Sequence, residues 1–171
     1  MNRQKNRRTH WLIVCIVLLS LGVLSLFIRS PYLVLTNAQT NRPLYTAVLR
    51  EGETFSLSHI HSLHQTPVRE IYERRDGQIV LVALEFESFG AGLPDVLEYG
   101  QILSRLETGG LRVDGVERPM PDFHMLIGHT AAHTLHIADQ NIPLDTLDDP
   151  GQSIQVSARR LNIWQRLYFS R

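Results

Sequence analysis

The apolar residues of this chain fall into two regimes. Residues 11–28 (WLIVCIVLLSLGVLSLFI) run for 18 positions without a charge, which is at the short end of what spans a bilayer as one helix. Beyond Pro31 no segment keeps a helical period. Short runs rich in β-branched and aromatic residues appear instead, separated by turn residues. They predict strands over 32–36, 44–49, 54–62, 71–75, 78–86, 130–138 and 153–161. Asp76-Gly77 lies between two of these runs, and both turn residues tolerate positive φ, so a tight hairpin is expected there. Asp114-Gly115 offers a second, weaker hairpin. Residues 95–106 fit a short helix imperfectly. The stretches DQN (139–141) and DDPG (148–151) read as loop and turn material. Short strands at this spacing predict an all-β fold, a single small β-sandwich or partly open barrel, preceded by one N-terminal transmembrane helix. The closing stretch NIWQRLYFSR (162–171) reads as an edge strand that completes the core. Its alternative is an amphipathic tail at a membrane surface, where Trp164 and Tyr168 suit the interface.

Charge gives the apolar run an orientation. Arg3, Lys5, Arg7 and Arg8 precede it, and only Arg29 follows closely. An excess of basic residues marks the cytoplasmic side of a membrane segment. The expected organisation is a basic cytoplasmic N-terminus (1–10), a transmembrane signal anchor (11–28), a linker and first strand (29–43) and an extracytoplasmic all-β domain (44–171). That is a single-pass protein of the cytoplasmic membrane with its domain in the periplasm or at the cell exterior. The competing reading, a cleaved signal peptide, needs an Ala-x-Ala site that does not follow the run.

The formal net charge of zero conceals a second asymmetry. From Tyr32 onward there are 12 arginines against 17 acidic residues, about −5. A domain of that charge has no electrostatic reason to bind nucleic acid. The single cysteine, Cys15, excludes an intramolecular disulfide and a cysteine-based zinc site.

Eight histidines are the remaining candidate chemistry. On a strand over 54–62, Phe55, Leu57, His59 and His61 share one face, because alternate side chains point the same way. His133 shares a face with Ala131, Leu135 and Ile137. One reading makes His59, His61 and His133 zinc ligands. Glu70 or Glu85 would then assist; a two-residue Asp-Gly turn puts these two diagonally on one face of the hairpin. The plainer reading, which we take, is neutral imidazoles packed in the core and hydrogen-bonded there; no cofactor is then required. His64 and His136 are expected to be exposed. No Gly-x-Ser-x-Gly, His-Glu-x-x-His or P-loop pattern is present, so no catalytic residue is assigned.

Two stretches carry a resemblance: HSLHQTPVRE (61–70) and FESFGAGLP (86–94), with TAAHTLHI (130–137) as a third, weaker one. Together they resemble the family called domain of unknown function 1850, over about residues 44–157. The resemblance implies small, membrane-anchored bacterial or archaeal proteins without an assigned biochemical activity. Members are often encoded beside tripartite ATP-independent periplasmic (TRAP) transporters of the TAXI type. An accessory or binding role in solute uptake is thereby implied, with a TRAP permease or a TAXI solute-binding protein as partner. The resemblance singles out His61, Ser62, Thr66, Pro67, Glu70, Gly90, Gly92, Pro94 and His133 as a group. Of these, His61, Ser62, Thr66, Glu70, Gly90, Gly92 and His133 are the expected ligand-binding residues. His59 departs from the family pattern, which has an aromatic residue at that place. The glycines of FGAGLP fit a sharp strand exit, or alternatively a small anion-binding nest beside His61. A purely structural envelope module and a metal-dependent envelope enzyme are the competing functions.

Overall fold

The computed structural model describes residues 2–61, 65–87, 96–107 and 109–169; of residues 2–10, 12 and 21 it describes the backbone alone. A helix α1 (Asn2–Phe27) leads into strands β1 (Arg29–Asn37), β2 (Pro43–Val48), β3 (Thr54–Ile60), β4 (Pro67–Arg75), β5 (Gln78–Phe86), β6 (Ile102–Arg105), β7 (Leu111–Pro119), β8 (Asp122–Leu126), β9 (Thr134–Ile137), β10 (Gln140–Pro143) and β11 (Ser153–Asn162). A short helix α2 (Ile163–Phe169) follows β11. The all-β expectation holds, as two antiparallel sheets rather than a barrel. One sheet has the order β2-β1-β11-β8, the other β10-β9-β3-β4-β5-β7-β6.

The main core lies between the sheets. Leu33 and Leu35 of β1 and Ile154 and Val156 of β11 meet Phe55, Leu57, Tyr72, Leu81, Leu135 and Ile137 of the larger sheet. Tyr72 spans the gap: its ring stacks on Phe55 within its own sheet (5.0 Å between centroids) and on Phe123 of the other (5.1 Å). β1 is buried on both faces, because Tyr32 and Val34 pack with Leu161 and with Phe169 of α2 on the side away from the core. A third cluster, Val68, Phe86 and Val113, fills the far end of the larger sheet.

The Asp76-Gly77 hairpin forms as expected. Arg75 pairs with Gln78, and the two turn residues sit at φ 52° and 76°. Asp114-Gly115 does not turn the chain. It lies inside β7, where Gly115, Val116 and Glu117 bulge opposite Val82, between the pairs Ala83–Asp114 and Leu81–Arg118. The positive φ that the dipeptide permits, 77° at Gly115, serves a bulge instead of a hairpin. The helix expected over 95–106 is also corrected. Residue 95 lies outside the described residues, and Ile102–Arg105 is an edge strand paired with β7. Residues 162–171 were expected as an edge strand, but Ile163–Phe169 is helical. Asn162 and Gln165 form a reciprocal cap: the Asn162 side-chain oxygen accepts from Gln165 N–H (2.9 Å), and the Gln165 side-chain oxygen accepts from Asn162 N–H (3.0 Å).

Among the described residues no helix is long and apolar enough to cross a membrane. α1 begins with the polar stretch NRQKNRRTH. Within its apolar part, the Ser20 and Ser25 hydroxyls donate back to the carbonyls of Val17 and Gly22. Trp11, Ile16, Leu19, Leu24 and Phe27 are exposed, and this part of the chain belongs to none of the three buried clusters.

Candidate functional site

Strand β3 separates two chemistries, because successive side chains leave the sheet on opposite faces. Phe55 and Leu57 are buried in the core, and His59 continues their face to the half-buried end of the strand. Its ring stacks on that of His133, with centroids 5.4 Å apart and 30° between planes. His133 arrives on the loop between β8 and β9, which is tied to β3 by Ile60 N–H donating to Ala131 O (2.7 Å). Its Nδ1 accepts from Gly128 N–H (3.2 Å), so the neutral ring carries its proton on Nε2. Only glycine lets the loop close this tightly: a Cβ on Gly128 would lie 2.9 Å from Ala131 Cβ and 3.3 Å from His133 Cε1. The pairing with His133 therefore belongs to His59, not to His61.

His61 anchors the turn that follows β3. Its N–H donates to Thr66 O (2.8 Å), and its carbonyl accepts from Gln65 N–H (2.9 Å). Its side chain, like that of Thr66, is half-buried. Burial depresses the pKa of His59; the nearby Glu70 carboxylate opposes this and His61 adds to it. Burial, reinforced by His59, depresses His133 as well. Both rings are therefore neutral at pH 7. An unfolded imidazole titrates near 6.5. As pH falls through that value, the unfolded chain takes up protons that the native pair refuses, so stability falls until the native values are passed. The effect is modest, because both rings are only half-buried. The urea midpoint is expected to drop between pH 7.5 and 5.5, and to drop less in a His59→Phe/His133→Leu variant. An equal drop in both proteins would remove these rings as the cause.

Glu70 stands on the inner face, opposite Leu57 and Leu84. It accepts from the Tyr72 hydroxyl (2.9 Å). The Tyr72 pKa is driven far up, first by burial and then by Glu70. Glu85 does not join it. The β4–β5 pairing shifts by one residue between Ile71–Ala83 and Tyr72–Leu81, leaving Val82 unpaired. A shift of one residue sends a side chain to the other face. Glu85 therefore faces outward, opposite Arg69, and pairs with Arg112 (2.7 Å). Of the remaining expected site residues, Ser62, Gly90 and Gly92, with Pro94, lie outside the described residues. Among the described residues no group of three or more His, Cys, Asp or Glu side chains is placed to hold a metal ion, so the zinc ligand set His59, His61 and His133 is not assembled.

The outer face of the same sheet carries a polar constellation that the sequence reading missed. Ser58 Oγ lies 2.7 Å from His136 Nε2, and His136 Nδ1 lies 2.6 Å from Asn141 Oδ1. His136 is thus half-buried and bonded at both nitrogens rather than simply exposed. Arg69 stands opposite Ser58, and its Nε donates to Ser56 Oγ (2.7 Å). Arg112 bridges Glu85 and Asp114 (2.8 Å). A groove of about 420 Å³ lined by Ser58, Pro67, Arg69, Glu85, Leu106 and His136 opens over this face. The alternation of Ser56 and Ser58 with Phe55 and Leu57 was the available signal. Asn141 had none, since DQN reads as a loop and Gln140–Pro143 is a strand.

No curated protein matches this chain, and no solved structure does. A family model does, over residues 55–144, a narrower span than the 44–157 of the resemblance but more than half the chain. It begins in β3 and ends just after β10, so it takes in all of the larger sheet but Thr54, together with β8, the His59–His133 pair and the polar outer face, and leaves out β1, β2 and β11. The chain belongs to the family described as Domain of unknown function (DUF1850).

Proposed function

We propose that the protein is a membrane-anchored extracytoplasmic accessory or binding domain of solute uptake. Residues 11–28 tether it, with the N-terminus on the cytoplasmic side. One observation carries this reading: the charge-free run is no part of the sandwich, and its described side chains lie outside all three buried clusters. α2 supports it. Ile163, Trp164, Leu167 and Tyr168 are exposed, and Trp164 Nε1 donates to Ser25 Oγ (3.1 Å), so the aromatic residues of α2 adjoin the end of α1. Trp and Tyr favour the membrane–water interface. On this reading the full chain sediments with membranes, resists extraction by alkaline carbonate, and yields its β-domain to protease added from the extracytoplasmic side. Recovery of the full chain in the soluble fraction would remove the anchor.

The proposed partner is a TRAP permease or a TAXI solute-binding protein, on the strength of the family's association with such transporters. At the edge of the larger sheet, Val96, Leu97, Tyr99 and Ile102 are exposed and offer a partner an apolar surface. Co-purification with the permease from detergent extracts is the supporting result; undiminished solute uptake in a clean deletion is the opposing one.

A further inference from the structure

We propose that Ser58, His136 and Asn141 form a nucleophile, base and orienting group for acyl transfer to water, acting on small esters that lie in the groove of the outer face. The two hydrogen bonds are those that nucleophilic catalysis by a serine needs. The base lies within reach of the hydroxyl at 2.7 Å, and a third group holds the base at 2.6 Å. An Asn carbonyl oxygen facing Nδ1 selects the tautomer with its proton there, which leaves Nε2 free to accept from Ser58. The orienting group comes from a directly paired position, since Asn141 faces His136 across β9 and β10. Ser58 arrives from β3, diagonally across β9, where Ser56 is the direct partner of His136. Rigid strands thus supply all three groups.

A donor for the developing oxyanion stands alongside. Arg69 is the cross-strand partner of Ser58. Its Nε is held by Ser56, while its other neighbour, Glu85, is turned to Arg112. Among the described residues Arg69 makes no ion pair. Its terminal nitrogens therefore remain to receive negative charge at the groove.

In the first step, Ser58 Oγ forms a bond to the acyl carbon while its proton passes to His136 Nε2, and the carbonyl oxygen takes the negative charge opposite Arg69. Collapse re-forms the carbonyl and breaks the bond to the leaving alkoxide, which takes the proton from His136 and departs as the alcohol. A water then repeats the sequence on the acyl-serine, its proton passing to His136 and back to Ser58 Oγ. The products are the acid and the regenerated hydroxyl. No oxidant, metal or cofactor enters.

The test is covalent capture. The full chain in detergent is treated with diisopropyl fluorophosphate, in which Ser58 Oγ displaces fluoride to form a P–O bond. Peptide mass spectrometry is expected to place one adduct on Ser58, with p-nitrophenyl acetate hydrolysis lost in proportion to labelling. Because a general base contributes about 100-fold or more, labelling of His136→Ala should be slower by about that factor, and Asn141→Ala should lie between it and the native chain. Folding of each variant is checked by its unfolding midpoint. If His136→Ala does not fold, His136→Gln keeps the side chain polar and removes the base. An unlabelled Ser58 in the folded native chain overturns the proposal, as does equal labelling in a folded His136 variant. Neither result bears on the membrane anchor, which is read by fractionation alone.

Discussion

Replacing Tyr72 by alanine is expected to remove about 3–5 kcal/mol of stability, the usual cost of deleting a buried aromatic side chain. The ring is 2% exposed and lies between Phe55 and Phe123, nearly parallel to both, at 12° and 15°. Phe55 belongs to the larger sheet and Phe123 to the smaller, so a cavity here opens between the layers, where strand pairing offers no means of collapse. Tyr72→Phe keeps the stack and removes only the hydroxyl. It leaves the Glu70 carboxylate without that donor (2.9 Å), at a cost of about 1–3 kcal/mol. The comparison separates the two contributions. Chemical unfolding of the two variants measures it, with native stability of such domains at about 5–15 kcal/mol. If both substitutions cost the same, the stack between the sheets contributes nothing to stability.

Gly115→Val is expected to cost about 3 kcal/mol or more. The residue sits at φ 77°, where a β-branched side chain is strained by about 1–3 kcal/mol. A Cβ there would also stand 2.6 Å from the carbonyl oxygen of Gly100 and 3.5 Å from Gln101 Cα. Both are backbone, so no side-chain rotation relieves the clash. The bulge must flatten or residues 100–101 must move away, and either change displaces β6 from β7. Gly52→Val is the control. It also has positive φ, 77°, but nothing lies within 4 Å of its Cβ. It should lose only the strain term. Unfolding midpoints of the pair, with amide exchange across β6, read the difference. Equal losses would mean that close approach at Gly115 plays no part.

The same bulge shows where local reading of the chain stops working. Asp76-Gly77 and Asp114-Gly115 are identical dipeptides, and each obtains the positive φ it permits. The first closes a hairpin because runs of apolar alternation flank it directly. The second is absorbed into a long strand because β5 supplies a partner on both sides of it. Local chemistry licenses the conformation; the neighbouring strand decides its use. The C-terminus gives the converse case. Asn162-x-x-Gln165 is a helix-start signal in plain view, and it outweighed the aromatic, strand-like appearance of the residues after it.

The histidines divide in the same way. Alternation set His59 on the apolar face with Phe55 and Leu57, as observed, but it put His133 within a strand over 130–138, whereas β9 begins only at Thr134 and His133 lies on the loop before it. It could not say that His59 rather than His61 would meet His133, because the contact joins residues 74 positions apart (133 − 59) and depends on β9 pairing with β3. Nor could it place Glu85. One unpaired residue, Val82, reverses every face assignment beyond it, and nothing in QIVLVALEF marks that position.

By itself, then, the sequence determined the β-class, the hairpin at 76–77, the charge-free run at 11–28, the apolar face of β3 and the family. These follow from side-chain alternation, turn stereochemistry and composition, which are properties of neighbouring residues. Tertiary structure alone decided which sheet each strand entered, which carboxylate faced the core, and which polar groups met. Ser58 and His136 lie 78 positions apart and touch only because the apolar faces of β3 and β9 pack against one core. Burial of those faces fixes the register, and the register then brings the polar side chains together on the opposite face.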